Sequence, residues 1–492
     1  MSDTSPDDFE PTMSAEEALM WRIGDDPWLD PSGSLLALLD RPVDLDLLRR
    51  KVAAGIPSMP RLVERVVDTA RPIEALRWEI DPDFDLTNHV VEVAVPAPGD
   101  RRALLDLTTE IHMTPFPAGR PPWRLVLVTG LADGTGALIA RLHHSVADGI
   151  GGLRMAEIFL TLEADTTPPP DTDLDAILCE WRAAATDHDL PDTAAAIWSA
   201  LAGPVGLAKS TAAELALIGA DPARAQRTAG QALDTVRTVI DQLTGDPFLD
   251  STSELWTRRS GGRYFVTAQM PLSAAGAAAK ARGGTINDLY VTALADAAIA
   301  YHAERGTEPR SVAMSFVRST RTGSGAGGNA FVPIKVRAPG AGVTPDERFA
   351  ALSNAMAPSD ASDGEPGLGA VSALAALIPT PVLTRLGRDQ GARIDVVTSN
   401  IRGAPVPIFV GDAHVLGTFP IGPVAGAACN ATVMSREDSL DIGIMIDPAA
   451  IDDPDRFGDI VQATLDVYTA NAGGRRISAQ ELRRPGRCRS DG

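Results

Sequence analysis

The sequence is poor in cysteine. Its 492 residues include 3 cysteines, Cys179, Cys429 and Cys488, which lie far apart and form no CxxC pair. An odd number of cysteines at such spacings excludes a disulfide framework and does not indicate a zinc site. We therefore expect the protein to reside in a reducing compartment.

Long hydrophobic runs are also missing. A membrane-spanning helix needs roughly 18–20 consecutive apolar residues, and the longest candidates, Ala194–Ala208 and Ala370–Leu383, are both interrupted by proline. The N-terminus is acidic, with Asp3, Asp7 and Asp8, whereas a secretory signal peptide is basic and then apolar. These absences predict a cytoplasmic protein without a membrane span.

Basic residues are outnumbered, with 44 Lys and Arg against 65 Asp and Glu, which gives a net charge of −21. A field of that sign repels phosphate backbones, so we exclude nucleic acid as a partner. The exception is an arginine-rich C-terminus, from which we predict a basic tail over residues 481–492 that is either solvated or in contact with anionic lipid. The chain is 44% hydrophobic, which is sufficient for a sizeable core.

Residues 1–165 combine alternating strand patterns with helical spacing, which predicts an N-terminal α/β half. The predicted strands are Ser34–Leu39, Val90–Val95, Trp123–Val128 and Gly136–Leu142, and the predicted helices are Asp44–Ala54, Arg101–His112 and Gly149–Leu162. Residues 166–255 are rich in alanine and predict a helical connector, either a linker packed on the surface or a lid.

Residues 256–480 return to the mixed pattern and predict a C-terminal α/β half. The predicted strands are Arg263–Gln269, Ser311–Val317, Phe331–Arg337, Asp395–Ser399, Cys429–Met434 and Leu440–Ile446. The predicted helices are Asn287–Arg305, Val371–Leu386 with a break near its prolines, and Arg456–Thr469. The glycine-rich segments Gly323–Gly328 and Gly411–Gly426 predict flexible or tight loops.

The most specific motif is HHxxxDG, formed by His143, His144, Asp148 and Gly149 between a predicted strand and a predicted helix. With 7 histidines in the chain, its chance occurrence has a probability on the order of one in a thousand. Adjacent side chains at a strand end point to opposite faces, so the two histidines cannot share one cavity. One of them is expected to act chemically and the other to pack.

An imidazole with an ordinary pKa near 6.5 can take a proton from an alcohol, as acyl transfer to a hydroxyl requires. A buried Asp148 is expected to pair with an arginine, and Arg318 is the candidate. Three alternatives remain open: a metal site with some of the other histidines, a serine triad despite the absence of GxSxG, and a histidine pair that only packs.

Several further segments resemble those of one family, the bacterial wax ester synthase/diacylglycerol acyltransferases, over roughly Met13 to Thr469. Besides HHxxxDG they are Met13–Trp21, Pro60–Arg65, Phe84-Asp85-Leu86 with His89, Pro121-Pro122-Trp123, Asn287-Asp288, Gly328-Asn329 and Ser399–Gly403. The sequence departs from the family pattern at Pro122, where leucine is usual, and at Leu289-Tyr290, where small aliphatic residues are more common. We expect these departures to change the shape of the tunnel in which this family binds its substrates.

The resemblance implies a two-domain fold like that of chloramphenicol acetyltransferase, with the catalytic loop facing a tunnel between the halves. It implies that His144 is the general base, that His143 and Asp148 support the loop, and that no covalent acyl-enzyme forms. The same loop is expected to be supported by Gly149 and Arg318. The expected substrates are an acyl-CoA donor and a diacylglycerol or long-chain alcohol acceptor, with no metal and no further cofactor.

Other motif residues have both a packing and a substrate-binding interpretation. We predict substrate contacts for Asn287, Asp288, Ser399, Asn400 and Trp123, although the first two also suit a helix start and Trp123 suits a core.

Because the substrates are apolar, we further expect peripheral association with a membrane or a lipid droplet. Two rival functions are a condensation-type acyltransferase that takes its acyl group from a carrier protein, and a lipid-binding protein without turnover.

Overall fold

The structure is a computed structural model that describes residues 12–67, 76–146, 149–185, 250–319, 331–357 and 378–470. Within these ranges the chain forms a seven-stranded sheet, a six-stranded sheet and a two-stranded ribbon, with helices packed on them. Two sheet-containing halves with mixed strand directions confirm the α/β prediction. None of the described helices is both long and apolar enough to cross a membrane.

The helices are α1 (Ala15–Ile23), α2 (Leu45–Gly55), α3 (Leu86–His89), α4 (Arg101–Met113), α5 (Gly149–Glu157), α6 (Leu174–Ala185), α7 (Leu272–Ala281), α8 (Ile286–Glu304), α9 (Pro345–Met356), α10 (Thr380–Gly391) and α11 (Pro454–Ala470). The strands of the first half are β1 (Gly33–Leu39), β2 (Glu64–Val67), β3 (Arg77–Ile80), β4 (Val90–Ala94), β5 (Trp123–Thr129), β6 (Gly136–Leu142) and β7 (Leu160–Thr161). Those that follow are β8 (Tyr264–Pro271), β9 (Ser311–Ser319), β10 (Phe331–Pro339), β11 (Val396–Ile401), β12 (Phe409–Val410), β13 (Ala413–Ile421), β14 (Cys429–Arg436) and β15 (Ser439–Ile446).

Strand β1 lies at the centre of the seven-stranded sheet, whose order is β4-β5-β6-β1-β13-β12-β7. It is antiparallel to β6 on one side and to β13 on the other, so that Gly33 faces Leu142 and Ser34 faces Ile421. The start of β1, the end of β6 and the end of β13 therefore meet at one edge. The HHxxxDG loop leaves the sheet at this edge.

Strands β12 and β13 belong in sequence to the second half but complete the first sheet. The prediction that Gly411–Gly426 is a loop is wrong for Ala413–Ile421, which forms a nine-residue strand. The cause is that this strand is buried along most of its length, so it lacks the polar–apolar alternation that marks a half-exposed strand. Two strands from the second half of the sequence thus cross into the first sheet and link the two halves.

The second sheet has the order β10-β9-β11-β14-β15-β8 and packs against helix α8. Fourteen of the nineteen residues of α8 are buried, which is expected for a helix that is apolar on all sides. A capping box between Thr285 and Asp288 begins the helix. The large core of this half is centred on α8.

Two predicted helices have different limits in the structure. The helix that begins at Gly149 ends at Glu157, and Leu160–Thr161 pair with β12 instead of extending the helix to Leu162. Helix α10 begins at Thr380, with Pro379 as its N-cap and Pro381 in its first turn, and it ends at Gly391 rather than at Leu386. Proline suits a first turn because its missing N–H has no partner there.

Some predicted segments lie outside the described residues. They are most of the connector (residues 186–249), the loop 323–328, residues 371–377 of the predicted Val371–Leu386 helix, and the basic tail 481–492. Of the predicted connector, the structure describes 166–185, which includes α6, and 250–255.

A buried carboxylate anchors the chain where it returns from the connector. The Ser251 hydroxyl donates to Oδ1 of Asp395 at 2.5 Å, and the Ala313 N–H donates to Oδ2 at 2.8 Å. Burial raises the pKa of Asp395 to about 6 even though these hydrogen bonds and Arg259 oppose the shift. In the folded chain the carboxyl therefore keeps its proton up to about pH 6.

We expect Asp395→Asn to change how stability depends on pH. A carboxyl whose pKa is raised on folding contributes stability that is complete below its unfolded pKa near 4 and is lost as pH rises through about 6. Relative to the Asn variant, the wild type should lose up to about 3 kcal/mol between pH 4 and pH 7. Urea denaturation of both proteins across this range measures the difference.

The control is Asp133→Asn, at an exposed turn where a hydrogen bond from Thr135 lowers the pKa of the carboxyl. Its pH dependence should have the opposite sign. A parallel pH dependence of the wild type and Asp395→Asn would show that folding does not change the pKa of Asp395.

Candidate functional site

The loop after β6 is fixed by backbone hydrogen bonds at both of its ends. The His143 N–H donates to the Pro122 carbonyl at 3.0 Å, and the Val146 N–H donates to the His143 carbonyl at 2.9 Å. The first bond ties the loop to the residue before β5, and the second closes a tight turn. His144 therefore lies in a turn whose flanking residues are both held.

His143 is buried, with 5% of its surface exposed. Its ring meets the Trp21 ring edge to face, with centroids 5.3 Å apart, and its Nδ1 lies 2.7 Å from the Ser145 hydroxyl oxygen. Burial is the main cause that lowers the pKa of His143 to about 3, and the nearby His144 and Arg141 add to it. This imidazole is neutral at physiological pH, and the described residues around it cover it.

His144 is only partly buried and lies against the start of β1. A Cβ added to Gly33 would lie 3.4 Å from His144 Nε2 and 3.7 Å from the Ile421 carbonyl oxygen. The glycine thus leaves room for the imidazole at the edge where β1 and β13 meet. The structure separates the two histidines as strand geometry predicts, with one packed and one accessible.

A buried polar cluster lies next to this edge of the sheet. No motif in the sequence predicted it. Ser34 Oγ lies 2.9 Å from His112 Nδ1, and Arg141, opposite Ser34 in the sheet, forms an ion pair of 3.6 Å with Asp30. Burial lowers the pKa of His112 to about 4 and that of Arg141 to about 10. Because Gly33 and Ser34 are adjacent in β1, this cluster faces the side of the sheet opposite to His144.

The predicted residues of the second half fall into two groups. The Asn400 amide, at the end of β11, donates to Asn287 Oδ1 at the start of α8 over 3.3 Å, so the structure brings these two together. Asp288 is buried and acts as a cap, accepting the Thr285 N–H at 2.8 Å and the Ser353 hydroxyl at 3.2 Å. The cap supports the structural interpretation of Asp288, while substrate contacts of Asn287, Ser399 and Asn400 stay predictions.

Trp123, for which we predict a substrate contact, is buried in the structure. The residue is 1% exposed, its ring stacks on His89 with centroids 4.6 Å apart, and its Nε1 donates to the Leu62 carbonyl at 2.6 Å. An indole whose N–H is satisfied and whose faces are covered packs a core. The packing interpretation of this residue is the one that the structure favours.

The remaining loop predictions are only partly described. Gly149 is the first residue of α5, and Arg318 pairs with Val332 between β9 and β10. Asp148 and the side chain of Arg318 lie outside the described residues, so their pairing stays a prediction. In the described ranges no three His, Cys, Asp or Glu side chains are grouped as metal ligands would be.

Two family models match the chain. The model of the wax ester synthase/diacylglycerol acyltransferase catalytic domain matches residues 14–290, and that of the C-terminal domain of the same family matches residues 327–468. A protein of Mycobacterium tuberculosis described as a diacylglycerol O-acyltransferase is 29% identical over 449 residues, which cover 89% of this chain and 88% of the relative.

Solved structures share the fold. The wax ester synthase/diacylglycerol acyltransferase from Marinobacter aquaeolei VT8 superposes with a TM-score of 0.59 at 20% identity, covering 94% of this chain and all of the other. The first condensation domain of the calcium-dependent antibiotic synthetase gives a TM-score of 0.55 at 16% identity, covering 96% of this chain and 99% of that one.

Proposed function

The chain belongs to the wax ester synthase/diacylglycerol acyltransferase family and is an acyl-CoA-dependent acyltransferase of neutral-lipid synthesis, and we propose that its general base is His144. We also propose that its acceptor is the hydroxyl of diacylglycerol or of a long-chain alcohol. The products are a triacylglycerol or a wax ester, together with free CoA.

The observation that carries this proposal is the contrast between the two histidines of the loop. His143 is 5% exposed and burial lowers its pKa to about 3, so it cannot accept a proton near pH 7. His144 is accessible, and glycine at position 33 leaves space beside its ring. A base must lie within hydrogen-bond reach of the hydroxyl that it deprotonates, and of the two rings the partly exposed one of His144 is better placed for this.

The proposed reaction is a direct transfer. His144 removes the proton of the acceptor hydroxyl as its oxygen attacks the thioester carbonyl, so that a C–O bond forms and a tetrahedral oxyanion develops. The C–S bond then breaks, and the proton passes from the imidazolium to the departing thiolate, which leaves as CoA thiol. No acyl group is attached to the protein at any stage.

The experiment is CoA-thiol release by the purified protein from palmitoyl-CoA. The acceptor is supplied in vesicles that contain either diacylglycerol or hexadecanol. Vesicles that contain neither are the control. Acceptor-dependent release of at least tenfold over the control supports the proposal and identifies the acceptor. Turnover of a carrier-protein thioester but not of palmitoyl-CoA, or retention of lipid without CoA release, would contradict it.

The same vesicles test where the protein meets its acceptor, and we propose a peripheral membrane or droplet surface. Val382 on α10 is 50% exposed while its neighbour Leu383 is buried, so this helix shows an apolar side chain to solvent. Exposed apolar side chains promote contact with a lipid surface. The protein should float with the vesicles at low and at high salt, and full recovery in the soluble fraction under both conditions would contradict this localisation.

A further inference from the structure

Helix α1 packs directly on the HHxxxDG loop. The helix begins with a capping box between Ser14 and Glu17, and its Trp21 lies in a small apolar cluster with Val146 of the loop. Trp21 also meets the His143 ring. The C-terminal end of α1 and the loop after β6 thus form one packing unit, although more than a hundred residues separate them in sequence.

Gly24 is the C-cap of α1, and the tightest contact that a side chain there would make is with the His143 ring. Its backbone angles are φ −66° and ψ −24°, which any residue adopts readily. A Cβ at this position would lie 2.6 Å from His143 Nε2, closer than real Cβ contacts allow. The missing side chain therefore makes room for the imidazole.

Ser145 holds the opposite side of the same ring. Its N–H donates to His143 Nδ1 at 3.2 Å, and its hydroxyl oxygen lies 2.7 Å from that nitrogen. Because a backbone N–H can only donate, Nδ1 must be the unprotonated nitrogen, and the proton of this neutral ring lies on Nε2 beside Gly24. Ser145 is itself buried, with 1% of its surface exposed.

We propose that Gly24 and Ser145 are positioning residues for acyl transfer: together they clamp the His143 ring between α1 and the loop, and the clamped ring fixes the turn that presents His144. The inference rests on the proposed function of His144. Because His144 lies between His143 and Ser145 in the chain, a shift of either neighbour displaces its imidazole. Misplacement of a reacting group by about 1 Å can cost on the order of 10²-fold in rate.

A double-mutant cycle tests the clamp without any assay of activity. Gly24→Ala should lower the melting temperature by about 1–3 °C, since the methyl group overpacks the ring. In a His143→Ala background the same change should cost less than about 0.5 °C, because the ring that it strikes is gone. Gly276→Ala in α7, where the nearest side-chain atom would be 3.8 Å away, is the control and should cost nothing. An equal shift in both backgrounds would overturn the clamp.

Two further readouts separate positioning from mere stabilisation. Ser145→Ala keeps the backbone N–H but loses the hydroxyl, and we expect kcat to fall about tenfold while KM for palmitoyl-CoA stays within twofold. Nitrogen NMR of the histidine side chains should show His143 as the Nε2–H tautomer in the wild type and in the variant, because the backbone N–H of residue 145 remains. An unchanged kcat in the variant, or an Nδ1–H tautomer in the wild type, would refute the role of Ser145.

The two proposals fail in different ways. If the wild type releases no CoA with any acceptor, the proposed acyl transfer is refuted, while the melting temperatures and the tautomer still decide whether the clamp exists.

Discussion

Replacing His144 by alanine is expected to lower acceptor-dependent CoA release by at least about 100-fold and to leave folding intact. A positioned general base contributes about 10²–10⁴-fold to a rate, and no other described imidazole of the loop can replace it, since His143 is buried and neutral. Stability should change little because the His144 ring is only partly buried. Initial rates with palmitoyl-CoA and the preferred acceptor, together with the melting temperature, measure both effects.

The matched control is His414→Gln. His414 is also a partly exposed imidazole, in β13 of the first sheet at the end opposite to Ile421, with Glu437 3.4 Å away. Its replacement should leave the rate within about twofold. If His144→Ala retained the rate of this control, His144 would have no part in the chemistry.

Local patterns in the sequence predicted most of the secondary structure because each pattern reports on its own neighbourhood. The limits of β6 match the prediction, and those of α2 and α8 differ by one residue at each end. The separation of His143 from His144 also follows from strand geometry alone. Burial of Trp123 agrees with the packing interpretation, which the residue type favours.

What the sequence could not predict depends on contacts between distant segments. Strand β13 joins β1 across almost four hundred residues, and nothing in Gly411–Gly426 indicates which sheet it enters. The clamp on His143 draws on Trp21 and Gly24, which precede it by more than a hundred residues. The buried pair of Ser34 and His112 is likewise formed only by the fold. Composition and periodicity carry no information about such pairings.

The largest loss of stability is expected from Asp296→Ala in the core of the second half. Asp296 on α8 pairs with Nη1 of Arg348 on α9, and its Oδ2 accepts the Tyr468 hydroxyl of α11 at 2.5 Å. Arg348 also donates to the carbonyls of Gly340 and Val343, each at 3.1 Å. One carboxylate therefore joins three helices and the segment after β10.

Removing Asp296 leaves a buried guanidinium without its counter-charge. Arg348 is 3% exposed and Asp296 2% exposed, so the guanidinium has little contact with water to compensate for the lost carboxylate. Breaking a buried pair from one side costs about 3–5 kcal/mol, whereas forming it from two solvated charges gains far less. The pKa of Asp296 shows the same balance, because burial raises it although Arg348 and Tyr468 oppose the shift.

We therefore expect Asp296→Ala to lower the free energy of unfolding by about 3–5 kcal/mol. The kcat per folded molecule should be unchanged, because the ion pair lies in the core around α8 and not at the HHxxxDG loop. Asp171→Ala is the control: its carboxylate pairs with Arg50 at 2.5 Å but is 82% exposed, and such pairs contribute about 1 kcal/mol or less. Urea denaturation of the two variants and the wild type measures the difference. Equal small losses would mean that water reaches Arg348 in solution, and the ion pair would then not hold the three helices together.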